Sequence, residues 1–387
     1  MTEPSGPVLV NLGCRTNAAE LAELGSLLSD VSNVVVVNSC TVTTAADRDT
    51  RRAVNRARRA HAGAAIVLAG CYVDAHPGDD LGADLAIPNS MKALAQVGAA
   101  QHRVEPPGEH RSRYVLKVQE GCDNRCTFCI VWQTRGRSLS RTFEHVRRQA
   151  RAAAAAGYRE IVLTGIDLGS YRGGLAELVA PLLEAAAPAR LRLSSIDPSH
   201  VDIDLCRLFD DPRLCPHLHL PLQSGSDAVL ARMRRRYDVA HFERVVVMAR
   251  RVRPDLALTG DLMVAFPGEG EDDFERTLAV VERAAFMDLH VFRFSPRPRT
   301  AAGRYREQVP PDIGRRRSRE LIELGHRLRR EYERSWEGRQ VAVIWDRAAN
   351  GMIKGISENY LQVTAPAQGR CAGMLEEITW TTASSAA

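Results

Sequence analysis

The chain is 387 residues long, 45% hydrophobic and 26% charged, with a net charge of +5 and nine cysteines. That length exceeds what one hydrophobic core supports, so two or three domains are expected, in a composition typical of globular proteins. No apolar run could span a bilayer and MTEPSGP lacks the regions of a secretory signal, so the expected location is the cytoplasm with no membrane partner; the mild basicity permits a nucleic-acid partner without requiring one.

Residues 1–104 alternate strand and helix signals. PVLVNLGC is an apolar run ending at Cys14, and NAAELAELGSLLSD places Ala18, Leu21, Leu24 and Leu28 at helical spacing. NVVVVNSC ends at Cys40, ADRDTRRAVNRARRAHAG reads as an arginine-rich helix closed by Gly63, and AAIVLAGC ends at Cys71. Continuous apolar strands between helices predict a doubly wound parallel α/β sheet. Ligands of such sheets gather beyond the carboxyl ends of the strands, where Cys14, Cys40 and Cys71 would emerge together as a three-thiol site.

A polar stretch, QHRVEPPGEHRSR, reads as a linker at 101–113, and residues 105–314 carry a second alternating series. Strands are expected at YVLKVQ, EIVLTG, LRLSSI, HLHLPL, LALTGDLMVAF and HVFRFS, with helices such as FEHVRRQARAAAAAG, ELVAPLLEAAA and FERTLAVVERAAF between them. Six strand–helix units predict a complete or partial β/α barrel, its mouth ringed by Cys122, Asp167, Asp197, Gln223, Asp261 and Ser295. Residues 315–337 read as a connecting helix, and 338–387 as a small β-domain made of QVAVIW, GMIKGIS, YLQVTA and MLEEITW.

The segment QEGCDNRCTFCIVW spaces Cys122, Cys126 and Cys129 as CxxxCxxC, with no fourth cysteine or histidine close behind. Structural zinc closes with four protein ligands. Three thiolates leave one position open, as on a four-iron cluster with one free iron. A zinc knuckle or a chance cluster are the alternatives. Cys206, Cys215 and Cys371 read as ordinary small core or surface residues.

Taken in order, these motifs resemble the radical SAM methylthiotransferase family over essentially the full length. LGCRTN, NSCTVT and AGCY resemble its N-terminal cysteine motifs. EGCDNRCTFC, TRGRSLSR, LTGIDLGSY, RLSSIDP, LPLQSGSD, FPGEGEDDF and SPRPRTAA resemble its barrel motifs, and the terminal β-domain its RNA-binding TRAM domain. The resemblance implies two 4Fe–4S clusters, one on Cys14, Cys40 and Cys71 and one on Cys122, Cys126 and Cys129. It also implies S-adenosyl-L-methionine (SAM), with Phe128, Gly165, Asp167, Ser195, Asp197 and Gln223 as candidate contacts; Ser195 and Asp197 would alternatively cap the helices that follow.

Within the family, CRTN, CTVT with ADRDTR, and RMRRRY resemble the branch that puts a methylthio group on C2 of N6-threonylcarbamoyladenosine beside the tRNA anticodon. That branch implies a tRNA, a reductant protein and a sulfur donor as partners. An adenine C2–H is neither acidic nor electrophilic, so radical chemistry from a cofactor is implied. By the resemblance, the barrel cluster cleaves SAM to a 5′-deoxyadenosyl radical, the N-terminal cluster supplies sulfur, and a second SAM supplies the methyl group. A methylthiotransferase for isopentenyladenosine tRNA or a ribosomal protein, and a non-catalytic Fe–S or zinc RNA-binding protein, stay open as alternatives.

Arg51, Arg52, Arg56, Arg58 and Arg59, and Arg232, Arg234, Arg235 and Arg236, are candidates to grip phosphates, although charge runs alone read as solvated faces. Three positions depart from the family pattern: Trp132 stands where proline is usual, and Ala265 and Arg299 where glycine is usual. The terminal domain is also short.

Overall fold

The computed structural model describes residues 6–92, 104, 106–107 and 112–384. Most of the expected linker at 101–113 lies outside the described residues.

Strands β1 (Val8–Asn11), β2 (Val34–Ser39), β3 (Ala65–Gly70) and β4 (Leu85–Ile87) form a parallel sheet in sequential order β1-β2-β3-β4. Side chains alternate between the faces of a strand, so an all-apolar run needs cover on both. Val54 and Ala57 of the helix Thr44–Ala60 cluster with Val35, Val37, Ile66 and Leu68. The helix Arg15–Leu27 takes the opposite face, where Gly25 lies against Leu9 and a Cβ would come within 2.5 Å of the leucine side chain. Helices on both faces give the expected wound α/β character.

The central domain contains β5 (Tyr114–Lys117), a two-stranded antiparallel ribbon of β6 (Gln119–Glu120) and β7 (Leu139–Ser140), then β8 (Glu160–Thr164), β9 (Arg190–Leu193), β10 (His217–His219), β11 (Ala257–Val264) and β12 (Asp288–Arg293). The parallel sheets β5-β8-β9 and β10-β11-β12 are joined by parallel bridges Leu191↔Leu214 and Ser195↔His219. Among the described residues β5 and β12 do not pair, so the barrel is partial. Its outward residues, such as Ile161, Leu163, Leu191, Leu193 and Leu218, form the main core under the helices.

Alternate residues face inward and are polar. Glu160 accepts from Arg190 and Arg192 at 2.8 and 2.7 Å, and the Thr259 hydroxyl lies 2.9 Å from a ring nitrogen of both His217 and His219. Burial would raise the Glu160 carboxyl, but Arg192 and Arg190 outweigh it and hold it below the usual range. The bore is therefore a polar chamber rather than an apolar plug.

The connecting helix spans Pro311–Ser335 and covers the edge strand β12, with Gly325 packed on Leu289. Strands β13 (Gln340–Ala349), β14 (Met352–Ser357), β15 (Gln362–Pro366) and β16 (Leu375–Thr379) form the terminal antiparallel sheet in order β15-β14-β13-β16. Its core of Trp336, Trp345, Trp380, Val341, Val343 and Ile353 also takes Met287 from the barrel. The domain sits on the amino ends of the barrel strands. Arg190 donates to the Ala342 carbonyl at 2.7 Å, Arg192 to the Ser357 carbonyl at 2.8 Å, and Tyr360 stacks on His217 with ring centroids 4.2 Å apart.

Candidate metal centres at the domain junction

The barrel thiols lie on the loop that follows β6. Gly121 adopts φ +71°, and a side chain there would run into the Arg137 carbonyl, so glycine is required for Cys122 N–H to reach the Gly136 carbonyl at 3.0 Å. The Cys129 N–H donates to the Cys126 carbonyl at 3.1 Å and closes a turn. Each sulfur meets a donor: Asn124 N–H at 3.4 Å from Cys122 Sγ, Val131 N–H at 3.4 Å from Cys129 Sγ, and Arg235 Nη1 at 3.2 Å from Cys126 Sγ. Burial, with Asp167 and neighbouring thiols adding, pushes Cys122 up to about 12; burial and Cys126 push Cys129 up to about 11. Such thiols stay protonated until a cation takes the proton's place.

The expected mouth residues fall into place around this loop to different degrees. Asp167 Oδ2 lies 3.8 Å from Cys122 Sγ and accepts from Asn124 Nδ2 at 3.3 Å, while its own N–H is held by Gln119 Oε1 at 2.8 Å. Asp197 does two things: it caps Ser199 N–H at 3.0 Å and pairs with Arg235. Ser195 is exposed at the mouth. Gln223 holds φ +65° and bridges Leu262, its N–H on the Asp261 carbonyl at 2.8 Å. Gly165 lies where a Cβ would come within 2.8 Å of Gln119 Oε1, and Phe128 packs on the cluster of Val229, Met233, Phe266 and Ala302.

Cys14, Cys40 and Cys71 follow β1, β2 and β3 directly. Gly70, at φ +102°, has no room for a side chain, since a Cβ would stand 2.5 Å from the Ser39 carbonyl. That close approach brings Cys40 and Cys71 out side by side. Burial, reinforced by Cys71 and Cys14, pushes Cys40 up to about 11, so these three sulfurs are electrostatic neighbours. None of the cysteines forms a disulfide.

Arg135 ties the barrel's cysteine loop to the N-terminal thiols. It ends the short helix Val131–Arg135 that follows Cys129, yet its Nε donates to Cys71 Sγ at 3.1 Å. Its remaining donors meet Asn17, Glu20 and Glu120. Glu20 also takes Lys92 at 2.6 Å and Lys117 at 2.8 Å. Lys92, Lys117 and Arg135 thus gather around the buried carboxylate of Glu20, with Glu120 beside Lys117 and Arg135.

Neither triad has the compactness of a lone-ion site. Among the described residues, the group whose ligand atoms all lie within 4.8 Å of one another is His219, Asp261 and His290, not either cysteine triad. A single zinc, with Zn–S bonds of about 2.3 Å, would draw three sulfurs closer than that.

The model of the Radical SAM superfamily matches residues 116–281, and that of the Uncharacterized protein family UPF0004 matches residues 8–86. The chain is 34% identical to the threonylcarbamoyladenosine tRNA methylthiotransferase MtaB of Thermotoga maritima, over 90% of this chain and 89% of that one. It is 32% identical to the protein of the same name in Bacillus subtilis, over 91% and 88%. This chain belongs to the radical SAM methylthiotransferase family. A relative from Anaeromyxobacter sp. named tRNA-2-methylthio-N(6)-dimethylallyladenosine synthase is 36% identical over 75% of this methylthiotransferase and 72% of its own length. The radical SAM methyltransferase TsrM of Kitasatospora setae shares the fold, with a TM-score of 0.57 at 15% identity over 77% of this chain and 76% of that one.

Sequence reasoning did not single out Arg135, Glu20 or Asn124, and it set Arg235 among the phosphate grips. Arg234 takes the left-handed conformation at φ +57° and turns the chain, so Arg235 points inward to Cys126 and Asp197 instead. The signal for Arg135 was present in TRGRSLSR, but its partner Cys71 lies in another domain.

Proposed function

We propose that this radical SAM methylthiotransferase installs a methylthio group at C2 of N6-threonylcarbamoyladenosine beside the tRNA anticodon, in the cytoplasm, with a reductant protein and a sulfur donor. The observation that carries the reading is that Arg135, which ends the short helix after Cys129, donates to Cys71 Sγ and so sets the barrel's cysteine loop against the N-terminal thiols. The names of the Thermotoga and Bacillus relatives support the substrate.

Cys122, Cys126 and Cys129 would hold one 4Fe–4S cluster and Cys14, Cys40 and Cys71 a second. With SAM, the clusters would supply the one-electron chemistry that an unactivated aromatic C–H needs. The chain's own side chains bind and orient. Asp167, Asp197, Ser195 and Gln223 offer polar groups for SAM at the barrel mouth, Asn124 fixes Asp167, and Arg235 fixes Asp197 against the Cys126 side.

For the RNA backbone, the helix Thr44–Ala60 supports contact better than the terminal β-domain. It carries six arginines against two aspartates and starts beside Cys40. Residues 338–387 carry four basic and four acidic side chains, and one end of that domain is committed to the barrel.

Mass spectrometry of tRNA nucleosides from a strain lacking the gene tests the reading. The expected result is loss of the 2-methylthio group with the threonylcarbamoyl group retained; unchanged threonylcarbamoyladenosine methylthiolation overturns it.

A further inference from the structure

The guanidinium of Arg15 begins one residue beyond Cys14 and extends into a cavity of about 560 Å³ where all three domains meet. Asn11, Ala18, Val115, Val162 and Tyr360 line that cavity with it. It donates to a neutral partner, the Tyr360 hydroxyl, at 2.9 Å. The other arginines around the thiols are already committed to carboxylates: Arg135 to Glu20 and Glu120, Arg235 to Asp197, and Arg297 to Asp47. Arg113, in the same cavity, pairs with Asp346 at 3.3 Å. Among the described residues Arg15 has no ion-pair partner, and its charge reaches the bore histidines His217 and His290. Asp261 is engaged by His219 at 3.3 Å and His290 at 3.2 Å rather than by Arg15.

We propose that Arg15, held by Tyr360, is the specificity residue that receives the carboxylate of the amino-acid group on the substrate adenosine. The proposal rests on the threonylcarbamoyladenosine reading above. An apolar isopentenyl group gives a cation nothing to bind, whereas a threonyl group ends in a carboxylate. Arginine presents a planar fork of donors that matches that anion with two parallel hydrogen bonds. Arg15 follows Cys14 directly in the chain, and its charge acts on the bore histidines His217 and His290, so a substituent carried into the bore from an adenine at the thiols would meet it. An arginine with no ion-pair partner favours a substrate that brings an anion over one that does not.

The test uses the reconstituted full-length enzyme and anticodon stem–loop RNA bearing either threonylcarbamoyladenosine or its carboxamide, which has the same shape without the charge. The wild type should bind the acid roughly ten- to hundredfold more tightly than the amide. Arg15→Gln should abolish that preference, and Arg15→Lys should keep part of it. Iron content and RNA-independent SAM cleavage of each variant report whether it is folded and loaded. Equal binding of acid and amide by a wild type that methylthiolates the acid overturns the Arg15 assignment alone, as does a loaded Arg15→Gln enzyme that retains the preference. A wild type that modifies only isopentenyladenosine RNA overturns the substrate reading and this proposal together.

Discussion

The two thiol triads reach similar surroundings by different routes. Cys122, Cys126 and Cys129 sit on one loop, and backbone N–H groups of Asn124 and Val131 serve two of the sulfurs. Cys14, Cys40 and Cys71 come from three strands whose register sets their positions, with Asn38 beside Asn11 and Gly70 beside Ser39. Cys71 takes two side-chain donors, Asn89 and Arg135, the latter from another domain, while Cys40 meets the backbone of Val42 and Thr41. The barrel site is a local motif that its loop largely carries with it. The N-terminal site exists only when sheet and domain junction are both formed.

The strongest way to sharpen that contrast is to remove one triad at a time. Replacing Cys122, Cys126 and Cys129 by alanine should abolish SAM cleavage entirely. Replacing Cys14, Cys40 and Cys71 should leave cleavage to 5′-deoxyadenosine intact while ending methylthiolation, with about four of eight irons lost by iron analysis. Loss of SAM cleavage in both variants would break the separation of roles.

Arg135→Met should come next, because it strips Glu20 and Glu120 of a buried partner. A stability loss of about 3–5 kcal/mol is expected in denaturant titration, with iron lost first from the N-terminal site. Gly70→Ala should cost about 1–3 kcal/mol through its left-handed backbone and the Ser39 carbonyl, and should spare the barrel iron. Spectroscopy showing both sites equally damaged would contradict the distinction between local and tertiary sites.

The smaller tests fall outside the triads. Arg56→Glu should weaken tRNA binding and lower the slope of log affinity against log salt by about 1, whereas Lys354→Glu in the terminal domain should leave that slope unchanged. Ala265 and Arg299 hold φ +61° and +70°, so Ala265→Gly and Arg299→Gly should each raise the thermal midpoint, gaining about 1 kcal/mol.

Those two positions show what the sequence carries and what it withholds. Both were visible as places where the family uses glycine, but only the backbone angle shows why. The strand ends and the six barrel strands were legible, because apolar runs stop at a cysteine or a polar mouth residue and local periodicity suffices to find them. Arg235 was not, because a run of four charges does not say which member turns inward. Glu20 and Arg135 were not either, since each is an ordinary polar residue until a distant partner meets it. The electrical neutrality of residues 338–387 was present in the composition, but their seat on Arg190 and Arg192 required the fold.

The reach of Arg135 across the domain junction has a consequence for how the molecule is assembled. A three-thiolate centre would add a counter-ion for Arg135, and that arginine belongs to the opposite domain. Loading the N-terminal thiols and latching the first two domains together then become a single thermodynamic event. Protease should accordingly cut the unloaded chain at that seam more readily than the loaded one.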